Sequence, residues 1–379
     1  MQPPPTRIES PSIDPADLTT DAAGLLSRWT KTGAILTAHR WVTVMGGLTA
    51  ASVVILVVCL QFGATSVEMK TVVGAILKMF RREHIDASGI GTSGVIMVQI
   101  RFPRVLMGFL IGGSLAGIGV TLQALLRNPL ADPYVLGVSS GAALGVSLAL
   151  LFGVGTTFAL LPALPLLGFI GGFLSLVLIY RLAQSQGRLP VHSLLLAGVI
   201  LNAILTALIM FITSIMEPNR SAGLMAWLMG SLTAPGYPAL GVFLLYMVVV
   251  LAILIRKAHV LNLLTLGEDT ARSLGVETEW VKKQLFALTA LLTGAVVSFS
   301  GMIGFVGMVI PHMVRMLIGS DHRLLLPAST LVGGMFLVVA DTIARTVLAP
   351  SELPVGIVTA LTGGPFFLYL LLCRKDRMY

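Results

Sequence analysis

The chain is expected to be an all-α polytopic membrane protein, with about ten transmembrane helices, a short helix after the fifth, and both termini in the cytoplasm. Three observations lead there. Hydrophobic residues make up 56% of the 379 residues and charged residues only 11%, against roughly 25% charged in soluble domains. From residue 41 onward the apolar residues gather into runs near the length of about 20 residues that a bilayer demands. The basic residues then divide unequally between the connecting loops.

The expected spans lie near 42–62, 105–125, 136–154, 160–180, 193–214, 238–256, 284–300, 302–318, 324–344 and 354–373, with a shorter helix near 222–231. An even number of spans puts both ends of the chain on one side. With the N-terminus inside, eight of the 25 Lys and Arg fall outside and the other 17 inside, as the positive-inside bias requires. One loop runs against it. Residues 63–104, external in this arrangement, hold Lys70, Lys78, Arg81, Arg82, Arg101 and Arg104.

Residues 1–40 stand apart. They carry Pro3, Pro4, Pro5, Pro11 and Pro15, and no basic start leads directly into an apolar core, so they do not form a signal peptide. They read as a disordered tail with an amphipathic stretch near 25–36, and the transmembrane domain begins at residue 41. Cys59 and Cys373 both sit in apolar runs at opposite ends of the chain and read as buried thiols.

The 40 glycines lie mainly inside the spans. Gly137, Gly141 and Gly145 recur at every fourth position, as do Gly108 with Gly112 and Gly113 with Gly117. That spacing lets helix backbones approach closely in lipid. Residues 195–203 (LLAGVILNA) and 353–361 (LPVGIVTAL) share a rhythm of the sort inverted transporter repeats produce.

The net charge of +8 does not point to nucleic acid, because the charge sits at helix ends and no nucleic-acid motif accompanies it. No Ser, His and carboxylate constellation, HExxH or paired-Cys motif is present, and no Gly-Lys dipeptide exists to form a phosphate cradle. The chain therefore reads as a non-enzyme. It is expected to bind no cofactor itself, and any ATP and Mg are expected in another chain. Ionisable groups are nearly absent from span centres, where a carrier of bare cations or protons would need them. The cargo is then bulky, with its charge masked. Asp341 and Arg345, four apart at a helix end, have the spacing of a local ion pair.

The 257–283 loop differs from the others. Its stretch 264–276 (LTLGEDTARSLGV) is polar and helical in pattern, with Glu268 and Asp269 placed in a first turn where the helix dipole favours acids and Gly267 and Gly275 as stop signals at either end. Such a helix suits the docking of a cytoplasmic partner.

Four stretches, 101–145 (RFPRVLMGFLIGGSLAGIGVTLQALLRNPLADPYVLGVSSGAALG), 266–276 (LGEDTARSLGV), 301–327 (GMIGFVGMVIPHMVRMLIGSDHRLLLP) and 352–372 (ELPVGIVTALTGGPFFLYLLL), occur in the order found in the permeases of iron-siderophore, heme and vitamin B12 ABC importers. The chain resembles that family over roughly residues 41–375. The resemblance implies ten helices per subunit, a homodimer around a central path, two cytoplasmic ATPase subunits, a periplasmic substrate-binding protein and a location in the bacterial inner membrane. It also implies a metal-chelate cargo, with a ferric siderophore favoured over cobalamin or heme.

Residue by residue, Arg101, Arg104 and Arg345 match positions that face the binding protein, which accounts for basic residues on the outside. Leu266, Gly267, Glu268, Asp269, Ala271, Arg272, Leu274 and Gly275 match the element that sits in a cleft of the ATPase. Asn128, Leu130, Val191 and His192 match the cytoplasmic gate of the B12 permease, although Pro190-Val191-His192 stand where small hydroxyl residues occur. Asn202, Met210, Trp227 and Met229 are expected along the translocation path, with Arg220 at its external mouth. An ion-coupled secondary transporter is the alternative, and transport that needs ATP but no proton gradient separates the two.

Overall fold

The computed structural model describes residues 36–63, 74, 94–154, 157–158, 161–185 and 188–375. Most of the N-terminal tail, including its amphipathic stretch, lies outside the described residues. So do Lys70, Lys78, Arg81 and Arg82.

Thirteen helices are found among the described residues: α1 (Ala38–Gln61), α2 (Phe102–Leu125), α3 (Val138–Leu151), α4 (Ala163–Ala183), α5 (Val191–Ile215), α6 (Pro218–Leu228), α7 (Tyr237–Arg256), α8 (Ala258–Thr265), α9 (Glu268–Ser273), α10 (Thr278–Ser300), α11 (Val306–Ile318), α12 (His322–Thr346) and α13 (Val355–Lys375). A π-helical turn, Met97–Arg101, runs directly into α2, and a 3-10 turn, Pro133–Leu136, precedes α3. The only strands among the described residues are the pair Thr157–Phe158 and Leu161–Pro162, antiparallel.

Seven helical runs among the described residues are long and apolar enough to cross a membrane: α1, Gly94–Leu125, α4, α5, α7, α10 and α12. Three shorter apolar helices, α3, α11 and Val355–Tyr369, occupy the remaining expected positions. The shortness of α3 and α11 has local causes. The expected 136–154 span loses its start to the 3-10 turn, which Asp132 caps by accepting the Tyr134 N–H at 2.8 Å, and Gly137 at φ +73° separates that turn from α3. The expected 302–318 span loses its first turn because Gly301 (φ +66°) ends α10 and Phe305 (φ +70°) stands before α11. The short helix after the fifth begins earlier than expected, at Pro218, whose missing N–H costs nothing in a first turn.

The core is built around α2 and α12, the most buried of the long helices. Apolar side chains gain little by leaving lipid for each other, so packing of close-set backbones must hold such a bundle. The glycines supply this. A methyl group at Gly112 would stand 2.6 Å from Leu337 Cβ and collide with the Gly333 carbonyl of α12. At Gly141 it would stand 2.6 Å from the Gly171 carbonyl of α4, and at Gly145 it would strike the Leu167 carbonyl. Hydroxyls inside the bundle bond to their own helix. Thr121, Thr289 and Thr293 donate to the carbonyl four residues back at 2.7–2.9 Å, which satisfies them without a partner on another helix.

Candidate coupling surface, gate and arginine cluster

The two ends of the bundle carry different chemistry. At one end the C-terminus of α1, the start of α2, the C-terminus of α12 and the segment before α13 bring together Arg101, Arg104, Asp341, Arg345 and Glu352. Arg104 grips Asp341 as a fork, with Nη2–Oδ1 at 2.9 Å and Nε–Oδ2 at 3.2 Å, and reaches Glu352 through Nη1 at 2.9 Å. Asp341 is almost fully buried, at 3% side-chain exposure. Paired geometry of this kind is among the stronger hydrogen-bonded ion pairs.

Arg101 and Arg345 are buried as well. Arg101 donates to the Leu60 and Gln61 carbonyls at 3.3 and 3.1 Å, and Arg345 donates to the Cys59 carbonyl at 2.8 Å. These are the last carbonyls of α1, which lack partners within their own helix and sit at the negative end of its dipole. The resemblance directs these two arginines, with Arg104, toward a binding protein. Burial among carbonyl groups occupies them, and Arg104 shows only 12% of its side chain. The expected local pair of Asp341 with Arg345 is long, 3.8 Å, because Arg104 holds the carboxylate. Pro103 does stand in the first turn of α2.

At the opposite end, α8, α9 and the start of α10 form the 257–283 segment. Helix α9 covers Glu268–Ser273, its first turn holds Glu268 and Asp269, and Gly267 (φ +118°) and Gly275 (φ +86°) flank it. All four features agree with the sequence. Ala271 points inward and is fully buried, while Leu266, Leu274 and Trp280 are about 60% exposed. Lys257 lies over the Trp280 ring at 5.2 Å. Arg272 and Asp269 are both exposed and 3.7 Å apart. The surface therefore presents large apolar groups among charges.

Beneath it lies a contact set that the sequence reading did not anticipate. Lys282 Nζ is buried and meets Glu268 at 2.9 Å, Glu279 at 2.7 Å and the Leu189 carbonyl at 3.4 Å. Glu279 accepts the Leu189 N–H at 2.9 Å. Leu189 stands two residues before α5, so α9 is joined to the entry of that helix through one ammonium group. The Glu279–Lys282 spacing of three was the available signal. The contacts to Glu268 and Leu189 depend on the fold.

The expected gate residues lie at this same end. Asn128 is exposed and turns its own loop, its Oδ1 accepting the Leu130 N–H at 2.9 Å, and Leu130 is 48% exposed. Val191 and His192 open α5, Val191 half-buried and His192 exposed, with Pro190 as the cap residue. The expected path residues separate into two groups. Met210 and Met229 are exposed, and on α5 Met210 belongs to an apolar face with Val199, Ile200, Ile204 and Phe211. Asn202 turns inward, where its side-chain oxygen accepts the Ser140 hydroxyl of α3. Trp227 packs beside Leu224, Ile212 and Val146. Arg220 is not a free charge at a mouth, because it donates to the Leu150 and Leu151 carbonyls that end α3, at 3.3 and 3.1 Å, and pairs with Glu217 at 3.3 Å. Among the described residues no three His, Cys, Asp or Glu gather as metal ligands.

Comparison with known proteins agrees over nearly this whole frame. The FecCD transport family matches residues 48–373. A cobalamin import system permease protein, BtuC, of Halobacterium salinarum is 43% identical over 289 residues, 76% of this chain and 76% of that protein. A hemin transport system permease protein, HmuU, of Yersinia pestis is 42% identical over 287 residues, 74% of this chain and 84% of that one. Among solved structures, an inward-facing conformation of a putative metal-chelate type ABC transporter superposes with a TM-score of 0.73 at 31% identity, over 88% of this chain and 99% of that one. The matched region takes in α2 with its glycines, the α8–α10 segment and the α12–α13 end, and the chain belongs to the FecCD transport family.

Proposed function

We propose that the chain is the permease subunit of an ABC importer that carries a metal chelate across the bacterial inner membrane from periplasm to cytoplasm. The observation that carries this reading is the α8–α10 surface. It is a polar two-helix projection with exposed Leu266, Leu274 and Trp280, set on a bundle whose charged groups lie near the helix ends. Exposed apolar side chains on a polar projection suit a protein partner, here an ATPase that supplies the nucleotide site this chain lacks. Family membership supports a dimeric permease working with two ATPase subunits and a substrate-binding protein. The α8–α10 end is cytoplasmic in this reading, and both termini with it.

The apolar face of α5 suits a large cargo held loosely. Relatives whose names specify cobalamin, hemin and iron(3+)-hydroxamate all match the chain, so the ferric siderophore first favoured competes on equal terms with cobalamin and heme. Toward the binding protein, Glu352, 52% exposed, is the most accessible charge of this cluster, and Arg101, Arg104 and Arg345 are the residues that the resemblance directs there. Reconstitution with the ATPase and the binding protein tests the reading. Uptake of one of the three chelates that requires ATP and survives collapse of the proton gradient is the expected result. Uptake that follows the gradient and ignores ATP would establish the secondary carrier instead.

A further inference from the structure

Between the C-terminus of α2, the end of α8, the C-terminus of α11 and the start of α12 lies a polar pocket of about 270 Å³, lined by Gln123, Arg127, Asn128, Thr265, Arg315 and His322 among others. None of the residues that line it is an acid. Arg315 gives one hydrogen bond, to Gln123 Oε1 at 3.2 Å, and Gln123 is itself engaged through Nε2 with the Gly307 and Met308 carbonyls. Neither Arg315 nor Arg127 has a carboxylate within ion-pair distance among the described residues. The nearby Asp321 is committed elsewhere, since it accepts from Arg323 at 2.6 Å, from Asn262 at 2.9 Å and from the Arg323 backbone N–H at 3.0 Å.

His322 lines the pocket from the start of α12. It is buried, at 3% exposure. Asn262 Oδ1 accepts both the His322 backbone N–H at 2.9 Å and the ring Nδ1 at 2.7 Å. The Asn262 amide nitrogen is directed at Asp321, so the oxygen faces the ring and Nδ1 carries the proton. Nε2, on the other side of the ring, is then a lone-pair acceptor without a partner, and it has almost no accessible surface, so it does not open to the pocket.

Two guanidinium groups without counter-ions, in a polar pocket with no acid, specify an anionic ligand. We propose that this pocket is a binding site for a phosphate group, either free phosphate or the headgroup of an anionic lipid. Arg315 and Arg127 take the phosphate oxygens, with the geometric advantage guanidinium holds over ammonium. The site adjoins the coupling surface, because a methyl group at Gly267, at the head of α9, would meet Arg127 Nη1 at 3.9 Å.

The test uses the full-length permease in a neutral detergent. Its melting temperature is followed during titration with phosphatidylglycerol, phosphatidylcholine or sodium phosphate at constant ionic strength, beside native mass spectrometry. Phosphatidylglycerol raising the melting temperature and remaining bound, with phosphate and phosphatidylcholine without effect, identifies the headgroup as the source. Stabilisation by phosphate itself identifies a free oxyanion. In either case Arg127→Gln, an exposed position that leaves the bundle intact, weakens the apparent affinity at least tenfold, and Arg315→Lys keeps the charge but loses affinity. No stabilisation by phosphatidylglycerol or phosphate, equal stabilisation by phosphatidylcholine, or an unchanged affinity in Arg127→Gln overturns the proposal.

Discussion

Asp341→Asn is expected to destabilise the permease by about 3 kcal/mol, roughly a hundredfold in the folded-to-unfolded ratio. The carboxylate is 3% exposed and stands between Arg104 and Arg345, at 2.9 and 3.8 Å. Deleting one member of a buried ion pair commonly costs about 3–5 kcal/mol, because the other charge is left buried without a counter-charge. Two contacts soften the loss. Arg104 keeps Glu352, but that carboxylate is 52% exposed, and such partners are worth at most about 1 kcal/mol. Arg345 keeps the Cys59 carbonyl. The result therefore falls at the lower end of the range. Arg345→Met should cost less, about 1–2 kcal/mol, since Asp341 retains Arg104 and a methionine fills part of the space. The double variant should recover at least about 1 kcal/mol relative to the sum, because neighbours in one network couple. Reversible unfolding in detergent micelles, read by intrinsic fluorescence across a denaturant series, supplies the four corners of the cycle. A loss below about 1 kcal/mol in Asp341→Asn, or additivity within about 0.5 kcal/mol, would refute the reasoning and return these arginines to a role in docking.

Three further outcomes concern the opposite end of the bundle. Leu274→Asp, at an exposed position, should leave unfolding within about 0.5 kcal/mol of wild type while weakening ATPase binding by roughly thirtyfold, as loss of an interface anchor does; equal binding by pull-down titration removes Leu274 from the coupling surface. Lys282→Met should lower uptake per ATP hydrolysed, with Lys282→Arg restoring most of it, because the link between α9 and Leu189 runs through that ammonium group; full coupling in the methionine variant would show that the link only supports the fold. Burial pushes the Asp132 carboxyl up to about 6, and the Tyr134 N–H hydrogen bond offsets only part of that rise. A carboxyl with a raised pKa favours the folded state when protonated, so stability falls as pH rises from about 4 through 6. Asp132→Asn should therefore raise the melting temperature at pH 7.5 and lose that advantage near pH 4; a pH-independent difference would contradict the assignment.

Helix positions were legible in the sequence because lipid imposes one pattern, an apolar run of set length, and the ten runs each contain a helix. The boundaries that shifted did so at Gly137, Gly301 and Phe305, where positive φ breaks the chain inside an unbroken apolar run. Hydropathy carries no trace of that. Helix α9 was legible to its ends because acids in its first turn and flanking glycines are local signals. The arginine cluster was legible as a set of residues but not as an arrangement. Whether Arg101 meets water, a partner or the end of α1 depends on contacts across forty residues of sequence, and no local periodicity encodes them. The same holds for Asn202, whose bond to Ser140 spans two helices, and for Lys282, which meets Glu268 fourteen residues away.

Besides the packing of Met45, Leu48, Ile55 and Leu56 along its length, hydrogen bonds at its two ends hold the first helix to the bundle. Of the 24 residues of α1 only Ser52, Cys59 and Leu60 are buried. Its start is tied by Arg40 to the Ile318 carbonyl at 2.8 Å and by Trp41 to the Arg323 carbonyl at 3.3 Å, and its finish by Arg101 and Arg345. It is clamped at its extremities like a stave between two hoops. Evolution can then vary its midsection widely within the apolar alphabet, while its last turn is held fixed by side chains encoded hundreds of residues downstream. Arg345 cannot find its carbonyl until α12 has been made. A ribosome-bound chain truncated before α12 should therefore hold α1 loosely, and its anchoring to the bundle is completed only late in synthesis.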